Sequence, residues 1–280
     1  MRILFVMPHY CGDGDGQYRS TAGRAAERAV CLRQSILSLH RTFGRRQMAI
    51  TDLRRGETVS ANGAAGAVVD IFVAAVPGAH CLDRLDLPED AFTPVVVDYD
   101  PATLGLICHG LIHKFAAAYD WFCYLEDDIV IADPHVFAKL AWFAERFGDR
   151  RLLLPNRYEV RDGALGKVYI DVHPSRRFAH PWHDPDEEPV LEAEFLGGTV
   201  TFARPNNPHA GCFALSRRQV GTWIADPAFM DGDTSFVGPL ESMATLGIMK
   251  TFKIYKPALP NHCFLEVLHA DPRYYGVWFA

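Results

Sequence analysis

The chain has 280 residues, of which 49% are apolar and 22% charged, with a formal charge of −6. That supports one large core, or two fused subdomains, without disulfide or metal staples, and the aromatic content of 12% argues against wholesale disorder. The negative balance argues against a dedicated nucleic-acid binder, which carries a net basic face.

Seven cysteines (Cys11, Cys31, Cys81, Cys108, Cys123, Cys212, Cys263) are scattered, odd in number and free of CxxC spacing. They read as buried reduced thiols of a cytoplasmic protein. The apolar run at the amino terminus is too short for a signal peptide, and no apolar stretch is long enough to predict a transmembrane segment.

In chain order, Ile3 to Met7 reads as a buried parallel strand, followed by the turn-rich loop from Cys11 to Gly16. Apolar spacing predicts a helix over 22–42, closed by Gly44. Strands are expected at 48–51, ending at Asp52, at 68–75, and at 94–97. Asp100-Pro101 opens a helix to about Ala118, with proline in its first turn. Trp121 to Leu125 is a strand, Ile129 to Ile131 continues it after a bend, and a helix follows over 134–147. Strand and helix thus alternate, the pattern of an α/β protein with a mostly parallel sheet flanked by helices. Beyond residue 150 the texture changes: short strands at 152–154, 168–171, 199–202 and 212–215, helices at 217–224 and 238–246, and a strand at 252–255. Residues 173–193 show no periodicity and read either as a mobile functional loop or as a partly disordered segment.

The triplet Glu126-Asp127-Asp128 carries the most chemistry. Three acids at the end of an apolar strand are costly without a counter-charge, and the carboxyl end of a parallel strand is where α/β sheets bind ligands. Hard oxygen ligands suit Mg²⁺ or Mn²⁺ bridging a carboxylate and a diphosphate. A solvated acidic helix cap is the plainer alternative.

The run from Tyr119 to Ile131 resembles the DxD-type strand of GT-A nucleotide-sugar glycosyltransferases, and the preceding helix, with Leu104, Leu111 and Lys114, stands where that fold has one. The resemblance covers most of the chain. It implies a single domain over 1–280, with residues 1–132 binding the nucleotide sugar and a more irregular 133–280 binding the acceptor. It implies that Asp128 binds the metal directly while Glu126 and Asp127 hold metal-bound water, ribose or sugar hydroxyls. Pro8, His9, Tyr10 and the glycines after them would embrace the nucleotide, with Tyr10 stacked on the base and Asp52 on base or ribose. That loop is also similar to the first loop of GT-B enzymes, a fold that needs no acidic triplet.

Further along, His209 to Arg217 resembles the segment beneath donor sugar and acceptor, where Gly211 permits close approach to backbone; an ordinary strand entering a helix capped by Ser216 fits equally well. Glu241, in the first turn of a helix entered through Pro239, matches the position of the general base of inverting members, and a capping acid is the alternative. Asp231 and Asp233 are second choices. His262 and His269 both match the late histidine that serves as a further metal ligand, and the reading favours His269. Arg151, Arg157, Lys167, Arg176 and Arg177, with His180 and His183, form a basic stretch in which Arg176 and Arg177 are the best lid residues.

The expected partners are a UDP- or GDP-sugar, Mn²⁺ or Mg²⁺, and a glycan or other hydroxyl acceptor, without nucleic acid. Inversion and retention both remain open. Two rivals stand beside this: a sugar-phosphate nucleotidyltransferase, for which the basic residues Arg19 and Arg24 are poorly spaced, and a non-catalytic GT-A-like binding module.

Overall fold

The computed structural model describes residues 1–13, 20–161, 163–171 and 180–275. The first half contains β1 (Arg2–His9), α1 (Ala25–Phe43), β2 (Met48–Asp52), β3 (Glu57–Ser60), β4 (Val68–Ala75), β5 (Thr93–Val96), α2 (Gly105–Lys114), β6 (Trp121–Leu125) and β7 (Ile129–Val130). The second half adds α3 (Val136–Phe147), β8 (Arg151–Leu153), β9 (Asn156–Glu159), β10 (Val168–Tyr169), β11 (Val190–Phe195), β12 (Gly198–Ala203), β13 (Cys212–Ser216), α4 (Arg217–Ile224), β14 (Lys253–Pro257) and β15 (Glu266–His269).

The central sheet runs β13-β6-β1-β4-β5, and every pair in it is parallel except β13 against β6. Ile3 to Met7 and Trp121 to Leu125 are buried on both faces, because helices cover both sides. On one face Ile3, Phe5 and Met7 pack against Leu32, Ile36, Leu39 and Phe43 of α1 and Phe137 of α3. On the other, Leu4, Val6 and Phe122 pack against Cys108 and Ile112 of α2 and Val220 and Trp223 of α4. The protein is therefore mixed α/β, with a mostly parallel sheet flanked by helices. No helix among the described residues is long and apolar enough to cross a membrane.

Two four-stranded sheets, β10-β9-β15-β7 and β11-β12-β14-β8, lie beyond the central one. Here the structure departs from the expected strand continuation. The Ile129 N–H bonds the Glu126 carbonyl at 3.1 Å, closing a turn that carries β7 out of the central sheet to pair with β15. The pairing of Ile129 with His269 sets residues far apart in sequence side by side. A second departure is β2, which pairs only with β3 as a separate hairpin.

Candidate active site at the carboxyl end of the sheet

The acidic triplet leaves β6 beside the end of β1, since Tyr124 is in register with Val6. Its three carboxylates meet different surroundings. Asp127 is buried, with one oxygen paired to Arg28 Nη2 and the other 2.5 Å from His9 Nδ1. His9 is itself fully buried, and its Nε2 accepts from the Cys81 N–H at 3.2 Å. That bond leaves the proton on Nδ1, so the imidazole donates to Asp127. Burial alone would raise the pKa of Asp127, but the charge of Arg28 and the His9 contact outweigh it and hold it down.

Asp128 is also buried, with Oδ2 3.1 Å from Arg28 Nη1 and 3.7 Å from His269 Nε2. Its Oδ1 is enclosed and has no hydrogen-bond partner among the described residues. The backbone places His269 here, because β15 pairs with β7 and the Ala270 N–H bonds the Asp128 carbonyl at 2.8 Å. His269 Nδ1 lies 2.9 Å from Glu159 Oε1, and Glu159 is fully buried. Burial lowers the pKa of His269, yet Asp128 and Glu159 together raise it above the ordinary value. The ring thus spans two carboxylates, and an Nε2 without a proton would turn a lone pair toward Asp128.

Glu126 is the acid of the triplet that remains partly exposed, with side-chain exposure of 25%. Its oxygens lie 3.5 Å from Arg157 Nη1 and 3.5 Å from His209 Nε2. Burial raises its pKa, Arg157 opposes that, and the charges of Asp128 and Glu241 add to the rise. Arg157 is held from behind by Asp171 at 2.9 Å, and Lys256 reaches the same carboxylate at 3.1 Å. Burial would raise Asp171, but these two cations keep it well below the usual carboxylate range.

Gly211 has φ +63, where a side chain is strained, and a Cβ there would lie 2.6 Å from Glu126 Oε2. The group that approaches its backbone is therefore the protein's own carboxylate. Glu241 sits in the short helical turn Pro239–Glu241, which runs into a π-helical turn over Ser242–Leu246. Its Oε2 is enclosed without a hydrogen-bond partner among the described residues, and its charge reaches Glu126. One turn later Thr245 Oγ1 lies 2.9 Å from His209 Nδ1, tying this helix to the segment under the triplet.

The structure thus brings His9, Glu126, Asp127, Asp128, Gly211, Glu241 and His269 to one end of the sheet. Pro8 and Tyr10 lie at its rim, partly exposed, and the Tyr10 hydroxyl donates to the Asp13 carbonyl at 2.8 Å. His9 is turned inward, so it positions Asp127 and does not offer a face to a nucleotide. Asp52 corrects the sequence reading: its Oδ1 accepts the Arg54 N–H at 2.8 Å and the Arg55 N–H at 3.3 Å in the β2–β3 turn, away from the triplet. Asp231 and Asp233 are both paired to Lys250, at 2.5 and 2.7 Å. His262 packs edge-on to Tyr169 at 4.9 Å. Of the basic stretch Arg157 reaches the triplet; Arg151 pairs with Glu188 and Lys167 with Glu266. Arg176, Arg177 and the glycines at 14 and 16 lie outside the described residues.

The sequence reading missed Arg28, Glu159 and Asp271. Arg28 had a readable signal: it falls on the buried stripe of α1, one turn before Leu32 and two before Ile36. A cation on an apolar stripe needs buried anions, and the triplet supplies them. Asp271 is held by Arg24 at 2.9 and 3.0 Å and lies 3.9 Å from Arg28. Glu159 had no such signal.

Among the described residues, no three His, Cys, Asp or Glu side chains converge as a self-sufficient metal site. Asp128 and His269 do set a carboxylate and an imidazole side by side, with His269 Nε2 3.7 Å from Asp128 Oδ2, and both are donor types that divalent cations accept. The fold and site together define a mixed α/β protein with a cation-balanced acidic centre at the carboxyl end of its sheet.

No known family model and no curated protein matches the chain. Solved structures similar to it include S. aureus TarS residues 1–349 with UDP, at TM-score 0.46 and 9% identity over 91% of this chain and 57% of that one. The same TarS segment without UDP gives 0.43 and 10% over 97% and 59%, and a further TarS structure gives 0.44 and 10% over 91% and 35%. The chain thus spans less than two thirds of each. A likeness at this level leaves the assignment to the chain's own residues.

Proposed function

We propose that this chain is a metal-dependent, GT-A-like glycosyltransferase that moves a sugar from a UDP- or GDP-sugar to an acceptor hydroxyl, with inversion. The observation that carries the reading is the enclosed, unpartnered Asp128 Oδ1 beside His269, whose other nitrogen is tied to buried Glu159. A buried oxygen without a partner costs about 1–3 kcal/mol, a cost that a bound cation would offset. The carboxylate behind His269 is the usual outer support of a metal-binding imidazole.

In this reading Asp128 and His269 would hold Mn²⁺ or Mg²⁺, which would supply positive charge for a departing nucleoside diphosphate. Asp127, with both oxygens already engaged by His9 and Arg28, orients Asp128 and supports the turn. Glu126, partly exposed beside Arg157 and His209, faces the sugar or ribose hydroxyls. Tyr10 and Pro8 border the base. Glu241 takes the proton of the acceptor hydroxyl, a role suited to a carboxylate with a free enclosed oxygen.

The test is thermal stabilisation by UDP or GDP with and without Mn²⁺. Stabilisation that requires both, and that vanishes in Asp128→Ala, is expected. No shift with any nucleoside diphosphate plus metal removes the reading, and normal UDP–Mn²⁺ binding by Asp128→Ala removes the metal assignment.

A further inference from the structure

The hairpin β2–β3 has no part in the site. It leaves the body between Gly44 and Ala67, and the Val68 N–H bonds the Met1 carbonyl at 3.0 Å, so it stands at the amino end of β1. An eight-residue strand separates that end from His9, about 25 Å. Every residue of β3 and all of β2 but Asp52 is exposed, and neither strand joins a larger sheet. A lone two-stranded hairpin is marginal in water, yet this one displays Met48 at 71%, Ile50 at 66% and Leu53 at 85% exposure.

Alternation puts Met48 and Ile50 on one face, opposite Ser60 and Thr58, while Val59, also exposed, lies on the other face opposite Ala49. Apolar side chains on both faces suit immersion better than one flat protein contact. The surroundings are basic. Residues 41–60 hold five arginines (Arg41, Arg45, Arg46, Arg54, Arg55) against Asp52 and Glu57, in a chain whose formal charge is −6. All five arginines are exposed. Arg46 pairs with Asp90, and Arg55 lies 3.6 Å from Asp52 and 3.9 Å from Glu57 at the exposed tip, while the other three carry no ion pair to a carboxylate among the described residues.

From this juxtaposition we propose that the β2–β3 hairpin docks the protein on an anionic lipid bilayer. Met48, Ile50 and Leu53 enter the headgroup boundary, and Arg41, Arg45, Arg54 and Arg55 meet lipid phosphates. The acidic site then faces away from the membrane. An RNA partner would use the arginines without needing the apolar side chains, so the two sets of variants separate those cases.

The experiment is co-sedimentation of the full chain with vesicles of phosphatidylcholine alone, or of equal parts phosphatidylcholine and phosphatidylglycerol. The wild type is expected to sediment with the mixed vesicles only, and to be released by high salt. Arg54→Gln/Arg55→Gln is expected to lower partitioning on the order of tenfold to thirtyfold, and Ile50→Asp/Leu53→Asp to abolish it, both with unchanged melting temperature and unchanged UDP–Mn²⁺ response. A wild type that stays in the supernatant with mixed vesicles overturns the proposal. So does vesicle binding that survives both double variants, or a dimer in solution that Leu53→Asp converts to monomer.

Discussion

His269 Nδ1 lies 2.9 Å from Glu159 Oε1, and its Nε2 lies 3.7 Å from Asp128 Oδ2, so one imidazole spans two buried carboxylates. Glu159 also accepts the N–H groups of Arg273, Tyr274 and Tyr275 at 2.7–3.0 Å, which fixes the chain just after β15. Glu159→Gln keeps one acceptor oxygen, replaces the other with a donor, and removes the charge that orients and enriches the imidazole. Mn²⁺ affinity in the presence of UDP is expected to fall roughly tenfold to hundredfold, read by calorimetric titration. An unchanged affinity would show that Glu159 lends no support to a metal held by His269.

Arg28 is the counter-charge of the triplet. It contacts both Asp127 and Asp128 and lies near Asp271, so its removal leaves buried anions uncompensated. Arg28→Met is expected to cost about 3–5 kcal/mol in denaturant unfolding. Arg28→Met combined with Asp127→Asn recovers part of that loss, because the second change removes one orphaned charge. A loss below about 1 kcal/mol for the single variant is incompatible with a buried ion pair of this kind.

The strands around the triplet were legible because burial on both faces writes a continuous apolar run, as in Ile3 to Met7 and Trp121 to Leu125. Helix α1 was legible from its spacing and from Gly44. The second half was harder. Strands β9 and β15 carry Arg157, Glu159 and His269 inward, so site chemistry interrupts the apolar pattern that would have announced them. The pairing of β7 with β15 depends on a turn at Glu126 and on a partner some 140 residues away, which no local period encodes. Asp52 misled for the opposite reason. A short β-type run ending in an acid looks like a sheet strand delivering a ligand, and only the absence of buried side chains distinguishes a free hairpin.

Acid stability should depend on buried neutral histidines. His109 packs edge-on to Trp223 at 4.9 Å, donates from Nε2 to the Met243 carbonyl at 2.9 Å, and is lowered by burial to about 4. His183, also lowered by burial to about 4, acts in the same direction. For such a group the unfolded chain binds the proton more tightly. Its contribution is complete above pH ~6.5 and is lost as pH falls toward 4. His269, raised in the fold, acts oppositely and loses its contribution as pH rises past its ordinary value. His109→Gln retains a donor for Met243 and should remove about 2–3 kcal/mol of the fall in stability between pH 6.5 and 4. Unfolding curves at a series of pH values that stay as steep in the variant would rule out a neutral buried His109.

Glu241 lies on a helical stretch that packs onto the segment beneath the acidic centre. It enters at Gly238-Pro239, its carboxylate keeps an enclosed free oxygen, and Thr245 one turn on anchors the stretch to His209. A π-helical turn over 242–246 is the kind of local irregularity that collects at functional sites. If Glu241 receives the acceptor proton, Glu241→Gln should lower kcat by roughly 10²–10⁴. UDP–Mn²⁺ binding should stay unchanged, because Asp128, His269 and Glu159 are untouched. Stability should hold or rise slightly, since an enclosed carboxylate oxygen without a donor is replaced by a neutral amide. Loss of donor binding together with activity would instead make Glu241 part of the nucleotide-sugar pocket. Full activity would remove the base role from Glu241 and pass it to another carboxylate.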